Sequence, residues 1–367
     1  MKYFAIYSIL VLTFWGLCSH SQATEPLLID PTTFKESKIL LSELVDDISW
    51  VQFETPIAAI TNHYVDERNI ILNTPNGVMR FNRKGNLINL VAGDNQHLFT
   101  NMTVNETERK IYLLGYKTDK LFTYTFSGMQ LSVQELPKRT ISYPESFIYD
   151  NGNLYFMFSP TISDSSKPQY EWAIMNVCSS TPILKKASTK VWGKPQRGPL
   201  HITYHNNQLL YWNIFNDNVY RLKGNEYDIA YRWAKGNYRF NLQDGAVIHG
   251  PMRKECLRLF SLCETQKYLF FEFKEVEGTS IYLYNRQNKE SRKTAKIIDD
   301  IWKSDLKITP ENYYKLKGRE YLTMIIKSEK IKEELLKSKS SKSKQIAQKI
   351  NKGGGFILLL LRLKEIS

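Results

Sequence analysis

Cysteine is scarce in this chain of 367 residues: there are four. Cys18 sits in an amino-terminal stretch with the marks of an export signal, which leaves Cys178, Cys256 and Cys263. Three is odd, so a fully paired disulfide framework is excluded and at least one thiol is free or paired between chains. Cys256 and Cys263 are seven apart, on opposite faces of a continuous strand, and no Cys-x-x-Cys spacing marks a metal site. Three buried thiols are expected. Long apolar runs are missing too. Past the amino-terminal stretch the strongest is Phe356 to Leu361, far short of the ~20 residues that span a bilayer as a helix. No Gly-x-Ser-x-Gly elbow, His-Glu-x-x-His pair or phosphate loop occurs, so the hydrolase and nucleotide chemistries built on them have no anchor. Ser304-Asp305-Leu306-Lys307 fits Ser-x-x-Lys, a pattern short enough for chance. Helical periodicity is nearly absent before residue 329.

Positive charge is present in excess, at +13, but unevenly. Lys327 to Lys352 holds nine lysines against three glutamates, nearly half of the surplus. This run has neither the arginines nor the interleaved aromatics that stack on bases, so nucleic acid is not an expected partner. A solvated face is the simpler reading, and attraction to acidic glycans or an anionic membrane surface is the alternative.

Residues 1 to 23 read as a signal peptide: Lys2 precedes the apolar stretch Phe4 to Cys18, and Ser21-Gln22-Ala23 offers a small-x-small cleavage site. The rival is a lipoprotein anchored at Cys18, which Leu17 disfavours because lipoprotein peptidases prefer a small side chain there. The mature chain, 24 to 367, is expected to be one domain, exported to the periplasm or cell envelope without a transmembrane segment, and monomeric.

What the chain has in abundance is a repeat. Asn69-Ile70-Ile71-Leu72, Lys110-Ile111-Tyr112-Leu113, Asn153-Leu154-Tyr155-Phe156, Gln208-Leu209-Leu210-Tyr211, Tyr268-Leu269-Phe270-Phe271 and Tyr321-Leu322-Thr323-Met324 each open a strand-like run. Their spacings of 41, 43, 55, 60 and 53 fit four-stranded propeller blades or slightly longer units. Tyr (22), Phe (18) and Trp (7) suit strands packed face to face. The strand before each anchor should be innermost, and in blade three Ser159 to Pro168 should form an exposed loop.

The last blade, with Tyr321 to Lys327 and Phe356 to Leu363, is one strand short, whereas Ile48 to Phe53 has no blade of its own. Pairing the two would close the ring and hide both edges. Between those last two strands, Ile331, Leu335, Ile346 and Ile350 predict an amphipathic helical insertion over 329–351, broken near Ser338 to Ser343. The predicted fold is all-β: a six-bladed β-propeller closed by its N-terminal and C-terminal strands, with a helical insertion in the last blade.

The run Gln208 to Leu222, with the core Phe215-Asn216-Asp217-Asn218-Val219-Tyr220, resembles the signature blade of the six-bladed β-propeller proteins numerous in Bacteroidetes. Leu41 to Thr55 is similar to that family's opening. The resemblance covers essentially the whole mature chain and implies the fold, export and often a lipid anchor; it brings no established reaction. Where relatives often carry a Gly-Pro-Gly-Glu-like loop, this chain reads Gly93-Asp94-Asn95-Gln96-His97-Leu98-Phe99.

Propellers bind ligands where the loops entering the innermost strands converge over the channel. His97, Tyr143, Glu145, Arg197, His201, His249 and Arg253 lie in such segments and are the candidate rim contacts. His201 and His205 are four apart, but a metal would need a third ligand from another blade, so structural histidines are expected. No catalytic residue, metal or cofactor is assigned. The first reading is a non-enzymatic binding or scaffold protein for a glycan, peptide or partner protein. The alternative is a propeller enzyme, such as a lyase or lactonase, with a metal or acid/base group over the channel.

Overall fold

The computed structural model describes residues 25–365 except 94–97, 117, 119, 137–145, 159–160, 163–169, 179–182, 187–190, 193–201, 206–207, 213–216, 225, 237, 239–255, 310–311 and 352–354. Six antiparallel sheets are arranged as the blades of a β-propeller. From the channel outward, blade one is Asn62–Val65, Asn69–Thr74, Gly77–Asn82 and Leu87–Ala92, and blade two is Phe99–Asn105, Lys110–Gly115, Lys120–Thr125 and Gln130–Glu135. Blade three is Ser146–Asp150, Asn153–Met157, Tyr170–Asn176 and Ile183–Lys186; blade four is Ile202–His205, Gln208–Tyr211, Asn218–Lys223 and Glu226–Trp233. Blade five is Arg258–Glu264, Tyr268–Glu275, Gly278–Asn285 and Ser291–Thr294, and blade six begins with Asn312–Leu316 and Arg319–Lys327.

The six sequence anchors are thus the six second strands. Each lies between two strands of its own blade and between two neighbouring blades, which is why Asn69–Thr74 is buried at every position. The cores sit between blades. Tyr112, Leu114 and Leu121 of blade two pack on Phe147, Leu154 and Phe156 of blade three. Trp172 of blade three meets Tyr211 of blade four with ring centroids 4.9 Å apart. Broad rings fill such flat gaps in edge-on contacts, which accounts for the aromatic content.

Blade six is completed as expected. Phe356–Leu363 pairs antiparallel with Val45–Gln52, with Leu359 opposite Trp50 and Leu361 opposite Ile48. Gly85 locks this seam: at φ +90° it lies where a Cβ would run into the Gln52 carbonyl, and its own carbonyl accepts from the Glu54 amide at 3.1 Å.

The segment before the closing strand holds a feature the repeat does not announce. Leu27–Ile29 adds a parallel strand to the outer edge of blade four, and Lys35–Glu36 does the same on blade five. Ile39–Leu40 then pairs with Ile297–Asp299, a hairpin strand between blades five and six. The amino-terminal segment therefore covers two open edges before it closes a third.

The insertion in blade six is a pair of helices, Ser328–Lys337 and Ser341–Lys349. Ile331, Leu335, Ala347 and Ile350 are buried against the blade five and six core. The break between the helices is pinned: the hydroxyls of Ser338 and Ser343 both donate to the carbonyl of Trp302.

Two expectations need correction. Cys256 and Cys263 are buried free thiols, but Cys178 is exposed, because it falls in the turn that ends the third strand of blade three. Burial pushes the Cys263 thiol well above its usual range. The blade-three insertion is more than a loop, since Thr161–Ile162 pairs in parallel with Val191–Trp192.

Candidate functional site

In a ring of like blades the innermost strands begin at one end of the channel and finish at the other. Each also presents an edge of backbone groups to the channel that no strand pairs, and these groups need partners. At the end where the strands begin, neutral polar side chains supply them. Asn62 opens the inner strand of blade one, and its Nδ2 donates to Asn101 Oδ1 and to the Met102 carbonyl of blade two, both at 2.9 Å. Asn73 stands directly across from Asn62, and its Nδ2 donates to the Phe99 carbonyl at 3.2 Å. Further along the channel a side chain also bridges blades two and three, where the Tyr149 amide donates to Thr103 Oγ1 at 2.8 Å.

This bonding leaves a surplus. The Oδ1 atoms of Asn62 and Asn73 are buried on one face of blade one with no hydrogen-bond partner among the described residues, as is the hydroxyl of Ser146 at the start of the blade-three inner strand. An unsatisfied buried polar group costs about 1–3 kcal/mol, so a donor that gains access to these atoms, from an ordered water or a ligand, is held strongly there.

At the opposite end, three carboxylates of blades one, three and five are engaged. Asp66 Oδ1 accepts from the amides of Arg68 and Asn69 at 2.7 and 2.6 Å, the bonding of a tight turn. Asp150 Oδ1 accepts from Asn151 Nδ2 at 3.0 Å, and buried Glu264 pairs with Arg286 at 2.9 Å. Among these described residues, the two ends of the inner strands differ: amide and hydroxyl side chains stand where the strands of blades one to three begin, and hydrogen-bonded or ion-paired carboxylates where those of blades one, three and five finish.

Between blades one and six lies His63, 7% exposed, with Nε2 2.9 Å from Thr323 Oγ1 and the Tyr314 hydroxyl donating to its carbonyl at 2.7 Å. Burial lowers its pKa to about 4, so the ring is neutral at pH 7 and acts as a lock across the closing seam. An unfolded histidine titrates near ~6.5. Because the folded value is the lower, the stability it confers is full above that pH and is lost as pH falls through the interval toward 4. Denaturant unfolding at pH 7.5 and 4.5 should show the wild type losing about 2.5 kcal/mol more than His63→Gln. Equal losses would contradict this.

Similarity to known proteins fits this architecture. A family model described as a domain of unknown function, DUF4934, matches residues 28–360. The chain belongs to this family. Among solved structures, this DUF4934 chain is similar to a "Putative exported protein" from Bacteroides fragilis, at 16% identity and TM-score 0.66 over 92% of this chain and 100% of that one. A DUF4221 member from Bacteroides vulgatus is similar at 10% identity and TM-score 0.47, covering 90% and 99% of the two chains. A protein of unknown function from Bacteroides thetaiotaomicron gives 11% and 0.47, covering 89% and 75%. No curated protein matches.

The seven rim residues read from the DUF4934 sequence, His97, Tyr143, Glu145, Arg197, His201, His249 and Arg253, all lie outside the described residues. They precede, in the chain, the inner strands of blades two to five. His205 ends the blade-four inner strand, but its intended partner His201 is also outside. Among the described residues, no three His, Cys, Asp or Glu side chains gather as a metal site. Residue-level reasoning passed over Asn62, Asn73, Asn101 and Ser146. The available signal was an amide or hydroxyl side chain within the first three residues of an inner strand, recurring at Asn62, Asn101, Ser146 and Asn312.

Proposed function

We propose that this DUF4934 chain is an exported binding protein that takes a neutral glycan or peptide at the channel end where the inner strands begin. The observation that carries the reading is the set of buried oxygens of Asn62, Asn73 and Ser146 at that end, which have no partner among the described residues. Uncharged acceptors and a hydroxyl suit the hydroxyl groups of a sugar or the amides of a peptide. The seven rim residues are proposed as further contacts from the segments that lead into the inner strands. Export rests on the signal-like residues 1 to 23 and on the name of the Bacteroides fragilis neighbour. Among the described residues no helix is long and apolar enough to cross a membrane. The mature chain would start at Thr24 as one domain in the periplasm or envelope, or be tethered through Cys18.

Glycan and peptide arrays probed with residues 24–367 test this, with Ser146→Ala as the diagnostic variant. Its hydroxyl has no partner among the described residues, so the melting temperature should stay within a degree or two while affinity for the captured ligand falls about 5–10-fold. Silence of both arrays, or undiminished affinity in Ser146→Ala, would overturn the reading.

A further inference from the structure

The helical insertion of blade six is electrically lopsided. The first helix, Ser328–Lys337, balances its charges: Lys330, Lys332 and Lys337 share it with Glu329, Glu333 and Glu334. Lys337 pairs with Glu334 at 2.8 Å, and Lys332 Nζ donates to the Ile350 carbonyl at 2.6 Å. From Ser338 to Asn351 the chain carries Lys339, Lys342, Lys344 and Lys349 and not one acidic residue. All four lysines are exposed, and none belongs to an ion pair among the described residues, where the nearest acid in sequence, Glu334, is committed to Lys337. Beyond the insertion, Asp305 pairs with Lys296 at 3.2 Å. Exposed Lys303 follows Trp302, whose carbonyl holds Ser338 and Ser343, and adds a further cation beside the break.

The backbone that carries these lysines is held in place. Ala347 and Ile350 are buried in the core cluster, and the Ser340 hydroxyl caps the second helix by accepting from the Ser343 amide. Leu336 stands 47% exposed at the end of the first helix, just before Lys337 and Lys339. A helix docked on the blade with Lys342 and Lys349 on one flank of its exposed side, Lys344 on the other and an exposed leucine nearby has the chemistry of a surface that rests on lipid headgroups. Lysine rather than arginine is informative. Arginine grips single sulfates or carboxylates bidentately, whereas lysine is a point charge that suits a diffuse sheet of headgroups.

We propose that Ser338 to Asn351, with Leu336 and Lys303 at its edge, docks the protein on an anionic lipid surface. This is independent of the ligand site at the channel, and the two face separate tests. The mature chain, residues 24–367, is sedimented with vesicles of phosphatidylglycerol mixed into phosphatidylcholine, and with phosphatidylcholine alone. Binding to the anionic vesicles is expected, with loss at 0.5 M salt and none to the neutral ones. Each lysine removed should lower partitioning about five-fold, so Lys342→Gln/Lys344→Gln/Lys349→Gln should weaken it about 100-fold with an unchanged melting temperature. Failure to bind anionic vesicles, equal binding to neutral vesicles, or an unaffected triple variant would overturn the proposal. Binding to an acidic polysaccharide column without binding to vesicles would overturn it as well.

Discussion

Deleting residues 24–53 should leave a chain that no longer unfolds cooperatively. Val45–Gln52 is the outermost strand of blade six and pairs with Phe356–Leu363 along nearly its whole length. Without it, Ile357, Leu358, Leu359, Leu360 and Leu361, each at most 2% exposed, lose the strand that flanks them. Burying a large aliphatic side chain is worth about 1.5–3 kcal/mol, so five half-uncovered ones amount to about 4–8 kcal/mol. That rivals the ~5–15 kcal/mol net stability of a typical domain. The deletion also removes Leu41 and Leu44 from the core. Calorimetry should show no sharp transition for the truncated chain. Deleting only residues 24–38 should lower the melting temperature and keep the transition, because Leu27–Ile29 and Lys35–Glu36 add to the outer edges of blades already four strands wide. A chain lacking residues 24–53 that melts sharply would refute the closure.

Phe53→Ala should be the most damaging single truncation at the seam, at about 3–5 kcal/mol. Phe53 is 1% exposed and packs on Phe81 of blade one with ring centroids 4.8 Å apart. The same cluster holds Ile70 and Leu72 of blade one with Leu358 and Leu360 of blade six, so a cavity at Phe53 loosens both blades at once. At about 2–4 °C per kcal/mol, the melting temperature should fall by roughly 10 °C. Phe81→Ala should cost a similar amount, and the double variant should cost less than the sum by about 1 kcal/mol, the coupling of the ring pair. A loss below about 1 kcal/mol for Phe53→Ala would place the seam elsewhere.

The second strands were legible because both of their faces are covered: Ile70, Ile71 and Leu72 are each buried, and a continuous apolar run follows. Closure was legible because Ile48 to Phe53 was a strand without a blade. The strands Leu27–Ile29 and Lys35–Glu36 were not, since two or three residues cannot display alternation and their pairing rests on backbone bonds that leave no mark in side-chain pattern. The site was hidden for a related reason. Asn62 and Asn101 sit in strands, where a polar residue normally signals a solvated face; only the ring brings blade one against blade two so that they meet at 2.9 Å. Likewise nothing near His63 in sequence distinguishes it from the other histidines, because Thr323 lies 260 positions away.

Hydrogen–deuterium exchange on the intact mature chain tests the closed ring most directly. If both chain ends build blade six, the amides of Val45–Gln52 should exchange as slowly as those of Phe356–Leu363 and of the second strands Lys110–Gly115 and Tyr268–Glu275, all opening only with global unfolding. Exchange of Val45–Gln52 within seconds, while the other strands stay protected, would contradict the account.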